Sequence, residues 1–379
     1  MVEKKITRRE FLKKIGTIIA VVTAGKIGEM LIRNSLPQKD RQEKLSKLIK
    51  EAKRDISRES DKEIEKAFKE LQEQAKYIMD VLDSPRKNFP EANFPNLMEQ
   101  IKIDEQEPKR EWNESEEEYL ARLQKWHQLN DSIYRDRREF LMLVQRVSEG
   151  NLTMEEKRSL FKVPRLSRKS TKCIDFEKIG AQSDHIEQYL STTFPPNFLS
   201  CTHTIYYTEE LHSTGQAGIE EDSDGRHAVK IRGAEINWKD LDPTAQAVLA
   251  HEISHNADWS TNPFLSPAER IYFYALILQR LQAQDRYHST YVEIKHQLDR
   301  DPRKWNNSLK IYSASQEYWA DICETYFSGY QRDWIEDWGE PNLPEKDIEV
   351  IEWLLARIDP DWLLKNQNQY PKTHPKSKE

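Results

Sequence analysis

The chain has 379 residues, 37% of them hydrophobic and 32% charged, with a formal net charge of −7 at pH 7. That length allows two domains, or one large one with an N-terminal extension, and the balance describes a charge-rich soluble protein. Apart from short terminal runs nothing is basic enough for a nucleic-acid surface, and no apolar run is long enough for an integral membrane protein.

Residues 1–33 read as a targeting segment. Thr7-Arg8-Arg9-Glu10-Phe11-Leu12-Lys13 precedes an uncharged run from Ile15 to Gly25, too short to span a bilayer and suited to a signal-peptide apolar region. The run resembles a twin-arginine export signal, and Val22-Thr23-Ala24 offers small residues for cleavage. The resemblance implies export of a folded protein to a periplasmic, cell-envelope or extracellular location. Lys26 and Glu29 blur the end of the segment and leave an uncleaved anchor open as the one contact with a membrane. A basic amphipathic N-terminus on a cytosolic protein is the alternative.

Residues 37–165 form a charged helical region. Leu45, Leu48, Ile49, Ala52, Ile56, Ile64, Ala67, Phe68, Leu71, Ala75, Ile78 and Leu82 recur at spacings of three and four, predicting an amphipathic helix over 37–85 with a break near Ser57–Ser60. A Pro- and Asn-rich connector comes next, then a second such helix from Ser115 to Val147, and the pair is expected to form an antiparallel hairpin. No chemistry is visible in it; a spacer, a protein-docking platform and a shield over a cleft all remain open.

From Pro164 the composition changes, and residues 166–365 read as a second domain, with a polar tail over 366–379. Thr202–Thr208 and Ala228–Asn237 read as strands of a small antiparallel sheet, separated by a polar loop from Gly215 to Gly225. His203, His212 and His227 read as sheet or surface residues. Cys173 and Cys201 are the plausible disulfide in an oxidising compartment, leaving Cys323 as a buried thiol.

The chemistry sits in His251-Glu252-Ile253-Ser254-His255. Asp242 suits an N-cap and Pro243 the first helical position, and no Gly or Pro interrupts residues 244–258, so the motif falls in mid-helix. Residues four apart share a face, so the two imidazoles can converge on one zinc ion while Glu252 lies beside it, placed to take a proton from an activated water and return it to a leaving amine. Two solvated histidines on an ordinary helix are the bland alternative.

A third ligand must come from elsewhere. A pattern with Gly seven and His or Asp ten residues after the first His fails, because those positions hold Asp258 and Thr261. A pattern with an Asp beside a Gly-Thr signature has no counterpart downstream. A Glu on a later helix, followed four residues on by an acid that orients a zinc-bound His, fits Glu317-Tyr-Trp-Ala-Asp321. Ser313-Ala-Ser-Gln316 reads as a capping box for that helix and Gly329 as its end. Glu317, Asp321 and Glu324 form one acidic stripe, with Glu317 as ligand, Asp321 as its supporting acid and Glu324 able to serve as either.

These two blocks, His251–Asp258 and Tyr312–Phe327, resemble gluzincin metallopeptidases of the anthrax-lethal-factor-like and Mlc-titration-factor-like type, over residues 195–360 at most. The resemblance implies an α+β, mostly α fold: a zincin-like domain with a small antiparallel sheet, the HExxH helix and the glutamate helix. It also implies Zn2+ and hydrolysis of a peptide or protein substrate. Those families often place an oxyanion-stabilising Tyr shortly before the glutamate ligand, which makes Tyr312 the nearest candidate and Tyr287, His288 and Tyr291 its rivals. Trp334, Trp338, Trp353 and Trp362 read as core, with a sugar-binding platform as the other reading. The function of a different class is a zincin-fold binding or structural protein with an idle metal site, against which an intact Glu252 argues.

Overall fold

The computed structural model describes residues 38–52, 54–83, 114–120, 123, 132–164, 168–209, 215–219, 221–233, 236–283, 308–329 and 343–371. The targeting segment, most of the connector, His212, Tyr287, His288, Tyr291, Trp334, Trp338 and the polar tail lie outside them. Among the described residues no helix is long and apolar enough to cross a membrane.

The fold is α+β and mostly helical. The charged N-terminal pattern yields α1 (Gln38–Ala52) and α2 (Asp61–Leu82), split by a 3-10 turn at Ile56–Arg58. The break falls where it is expected, because Asp55 and Ser60 each turn a side-chain oxygen onto a following backbone N–H and start a new helix. In the predicted second helix, 116–120 is helical and Ser132–Glu149 forms α3. α2 packs along α3, and Gln72 Nε2 donates to Ser148 O at 3.1 Å. A short α4 (Met154–Leu160), closed by a Thr153/Glu156 capping box, ties back to α2 through Lys157 and Glu65 at 2.8 Å.

The sheet corrects the expected antiparallel one. β1 (Lys172–Ile174), β2 (Thr202–Tyr207), β3 (Gly215–Ile219) and β4 (His227–Ile231) lie in the order β1-β2-β4-β3, with β1 and β4 parallel to β2 and only β3 antiparallel to β4. Helices α5 (Ser183–Thr193) and α6 (Pro196–Leu199) carry the chain from β1 back to a parallel start at β2, a crossover that strand periodicity cannot reveal. The predicted 215–225 loop is likewise corrected: its first five residues are the edge strand, and the turn proper is Asp222–Arg226, where Asp222 Oδ1 accepts from the backbone N–H of Asp224 and Arg226.

Cys173 and Cys201 are buried free thiols, not a disulfide. The register explains why: Cys173 stands opposite Ile205, and four residues of strand separate Ile205 from Cys201, on the order of 13 Å against the roughly 7 Å limit for a bridged Cα pair. Cys323 is buried and free as well.

The C-terminal half supplies α7 (Pro243–Asn256), α8 (Pro267–Ala283), α9 (Ser308–Ser328), α10 (Glu345–Ile358) and α11 (Pro360–Asn366). α9 begins before the predicted capping box and runs through it. Ser315 satisfies its hydroxyl on Ile311 O, four residues back at 2.7 Å, so the serines sit in the helix interior. The predicted stop holds, since Gly329 has φ +70° and donates to Thr325 O. Trp353 stacks on Phe273 and Trp362 packs against Phe327 and Tyr370, as core residues would. One continuous apolar cluster runs from Leu45 to Tyr370. Within it α2 packs on α8, and α1 on α10 and α11, where Arg41 reaches Glu352 at 2.7 Å.

Candidate metal centre

Local signals at Leu241–Pro243 set the position of the HExxH residues. Leu241 takes a left-handed backbone (φ +48°), Asp242 accepts the Ala245 N–H at 2.8 Å, and Pro243 opens α7. A cap of this kind contributes about 1 kcal/mol. The helix is apolar on nearly every side, and it is buried between β3 and β4 on one flank and α9 on the other. Asn256 Nδ2 donates to Thr202 Oγ1 at 3.0 Å and to His227 O at 3.3 Å, fastening the helix to the sheet. Trp319 Nε1 donates to Ser254 O at 2.9 Å, fastening it to α9.

Three predicted ligands come together. His251 Nε2 lies 3.2 Å from His255 Nε2 and 3.4 Å from Glu317 Oε2, and His255 Nε2 lies 3.7 Å from Glu317 Oε1. Ligands about 2.0–2.1 Å from a tetrahedral zinc stand roughly 3.3–3.4 Å apart; the His251–His255 and His251–Glu317 separations are of that size, while His255 faces the other Glu317 oxygen. The donor set of two imidazoles and one carboxylate also suits zinc. His251 is buried and His255 nearly so, whereas the Glu317 side chain is 48% exposed and forms the open side.

The other nitrogen of His251 faces acids. Nδ1 lies 3.2 Å from Asp321 Oδ1 and 3.2 Å from Glu324 Oε2, both on α9 and both buried. Two carboxylates beside Nδ1 favour a proton there, which would leave the Nε2 lone pair facing the other candidate ligands. Sequence spacing offers Asp321 first for that role and Glu324 as well, and both carboxylates lie 3.2 Å from Nδ1. Burial alone would lower the His251 pKa, but hydrogen bonding with Asp321, Glu317 and Glu324 holds it well above the usual imidazole value. Glu317 is pulled the opposite way to its own burial, down to about 2, by the charge of His255 and by contact with His251.

Glu252 is buried next to the cluster, and its carboxyl arm lies against Gly215 of β3. Tyr312 is not brought to the ligands. It is fully buried, its ring packed against Trp259, Tyr274 and Phe140 with the Arg137 guanidinium 4.9 Å from its centroid. The five-residue spacing to Glu317 accounts for this, since five residues of helix turn a side chain about 140° away from the face it started on. Burial pushes its hydroxyl pKa above the usual phenol value.

Several supporting residues carry little sequence signal. Asp258 Oδ1 accepts from the backbone N–H and hydroxyl of both Ser260 and Thr261, closing the turn after α7, and its Oδ2 accepts from Gln316 Nε2. Gln316 Oε1 in turn accepts from Arg137 Nη2 at 2.7 Å, so α3 reaches the residue beside Glu317. His227 Nε2 stands 2.9 Å from Asp136 Oδ2, one residue earlier on α3. An Asp-x-Ser-Thr turn at Asp258 is a readable pattern; the partners on α3 are not. No family model, no curated protein and no solved structure matches this chain.

Proposed function

We propose that the chain is a zinc-dependent metallopeptidase of the gluzincin kind, with a zincin-like arrangement in which His251, His255 and Glu317 hold the ion. The approach of the two imidazole Nε2 atoms to 3.2 Å, with one Glu317 oxygen 3.4 Å from His251 and the other 3.7 Å from His255, carries the reading. Bound there, zinc would supply Lewis-acid activation of water and of a substrate carbonyl. Asp321 and Glu324 keep the His251 proton on Nδ1 and its Nε2 free to bind. Glu252, next along α7 and not one of the three ligands, takes a proton from the attacking water as the new C–O bond forms and then passes it to the amine nitrogen, whereupon the peptide C–N bond breaks. The exposed side of Glu317 leaves room for a peptide to approach.

Glu252→Gln tests the reading. The amide keeps the size of the side chain and removes its basicity, so zinc content should stay near one per chain. Cleavage of a proteome-derived peptide library should fall by about 10²–10⁴-fold. A fully zinc-loaded wild type that cleaves no peptide would replace the enzyme with a zinc-holding binding protein, and unchanged cleavage by Glu252→Gln would remove Glu252 from the chemistry.

A further inference from the structure

We infer that Gly215, on the edge strand β3, is the positioning residue for Glu252. A Cβ placed at Gly215 would run into Glu252 Oε1, Cδ and Cγ, so the whole carboxyl arm of the side chain, and not just its tip, lies over this glycine. The backbone does not call for glycine here. Gly215 lies outside the left-handed region that Gly180, Gly225 and Gly329 occupy, and it is paired with Ile231 in the ladder to β4. What position 215 needs is space, and Glu252 fills it.

Neither backbone can retreat. Gly215 is held by its register with β4. The α7 backbone is pinned to α9 on its far side by Trp319 to Ser254 O and to the sheet by Asn256 to Thr202, and His251 abuts Asp321 and Glu324. A methyl group at 215 must therefore rotate the Glu252 side chain out of its seat while His251, His255 and Glu317 keep theirs. The edge strand thus sets where the base stands relative to the metal ligands, and it does so with a missing side chain.

The catalytic half of this inference rests on the peptidase reading and the steric half does not, so the test has two arms. The first is a thermal-unfolding cycle on the zinc-loaded full chain: wild type, Gly215→Ala, Glu252→Ala and the double variant. Gly215→Ala should lower Tm in the wild-type background and leave it unchanged when Glu252 is already alanine. An equal fall in both backgrounds overturns the inference, because the methyl group would then be colliding with something else. If Gly215→Ala alone does not fold, a folded double variant supports the inference and an unfolded one overturns it. The second arm is kinetic. Gly215→Ala should lower kcat at least about 10²-fold with KM and zinc content unchanged, and adding Glu252→Asp, one methylene shorter, should recover part of the loss. Wild-type kcat in Gly215→Ala overturns the positioning role. A wild type without peptidase activity would end the peptidase reading and still leave the Tm cycle to decide the contact.

Discussion

Arg137→Met offers a measurable test of how far the N-terminal helices support the metal site. The substitution keeps an unbranched apolar stem and removes the guanidinium, which donates to Gln316 Oε1 at 2.7 Å and sits 4.9 Å from the Tyr312 ring centroid. A hydrogen bond from a charged donor contributes about 1.5–3 kcal/mol and a partly desolvated cation–π contact about 0.5–2 kcal/mol. The two share one side chain and are not fully additive, so the expected loss of stability is roughly 2–4 kcal/mol. Urea unfolding followed by tryptophan fluorescence, at fixed zinc and again in chelator, gives that number. Gln316 would keep Asp258 as its partner but lose its tether to α3, and it adjoins Glu317. Zinc affinity by chelator competition should therefore weaken about 10-fold, the low end for loss of a supporting contact around a metal ligand. Stability within about 0.5 kcal/mol of wild type, with unchanged zinc affinity, would refute the idea that α3 braces the centre.

Three further outcomes are expected. Glu317→Ala should purify with zinc well below one per chain by elemental analysis, whereas Tyr312→Phe should keep full zinc and nearly full activity, because Tyr312 faces the aromatic core. Asp359 is the clearest pH probe. It is buried, it accepts from the backbone N–H of Asn197 and Phe198, and burial raises its pKa to about 7 despite those bonds. A folded-state pKa above the unfolded value of about 4 means that stability is fully present below pH 4 and is lost as pH rises toward 7, by an amount on the order of 4 kcal/mol at most. Asp359→Asn keeps an acceptor oxygen and cannot ionise, so its stability should overtake that of wild type across this window; a difference between the two that does not change with pH would refute the assignment.

Much of the site was legible because its chemistry is local along helices. The i, i+4 spacing of His251 and His255, the Asp242-Pro243 start and the Glu317–Asp321–Glu324 stripe all arise from residues within one or two turns, and the structure assembles them as that spacing implies. What escaped depends on partners far away in sequence. Strand alternation says which face is buried but not which way a neighbour runs, so the sheet reads as antiparallel until the crossover through α5 and α6 is seen. Gly215 stands in a polar stretch with no periodicity, and only the approach of Glu252 from α7 gives it meaning. Arg137 looks like one more charge on a solvated helix until α9 arrives beside it. Ser313–Gln316 shows the opposite error, a capping pattern strong in isolation that a longer helix absorbs.

The packing of α1 against α10 has a consequence for synthesis of the chain. Arg41 and Glu352 are 311 residues apart, and at about 5–20 residues per second a ribosome takes roughly 15–60 s to bring the second into existence after the first. For that interval Leu45, Ile49 and Ala52, all buried in the finished protein, have no C-terminal partner to cover them. The nascent helix therefore waits with an apolar stripe uncovered, and the period of greatest exposure to misassociation ends only when the last helices leave the ribosome and close over the first.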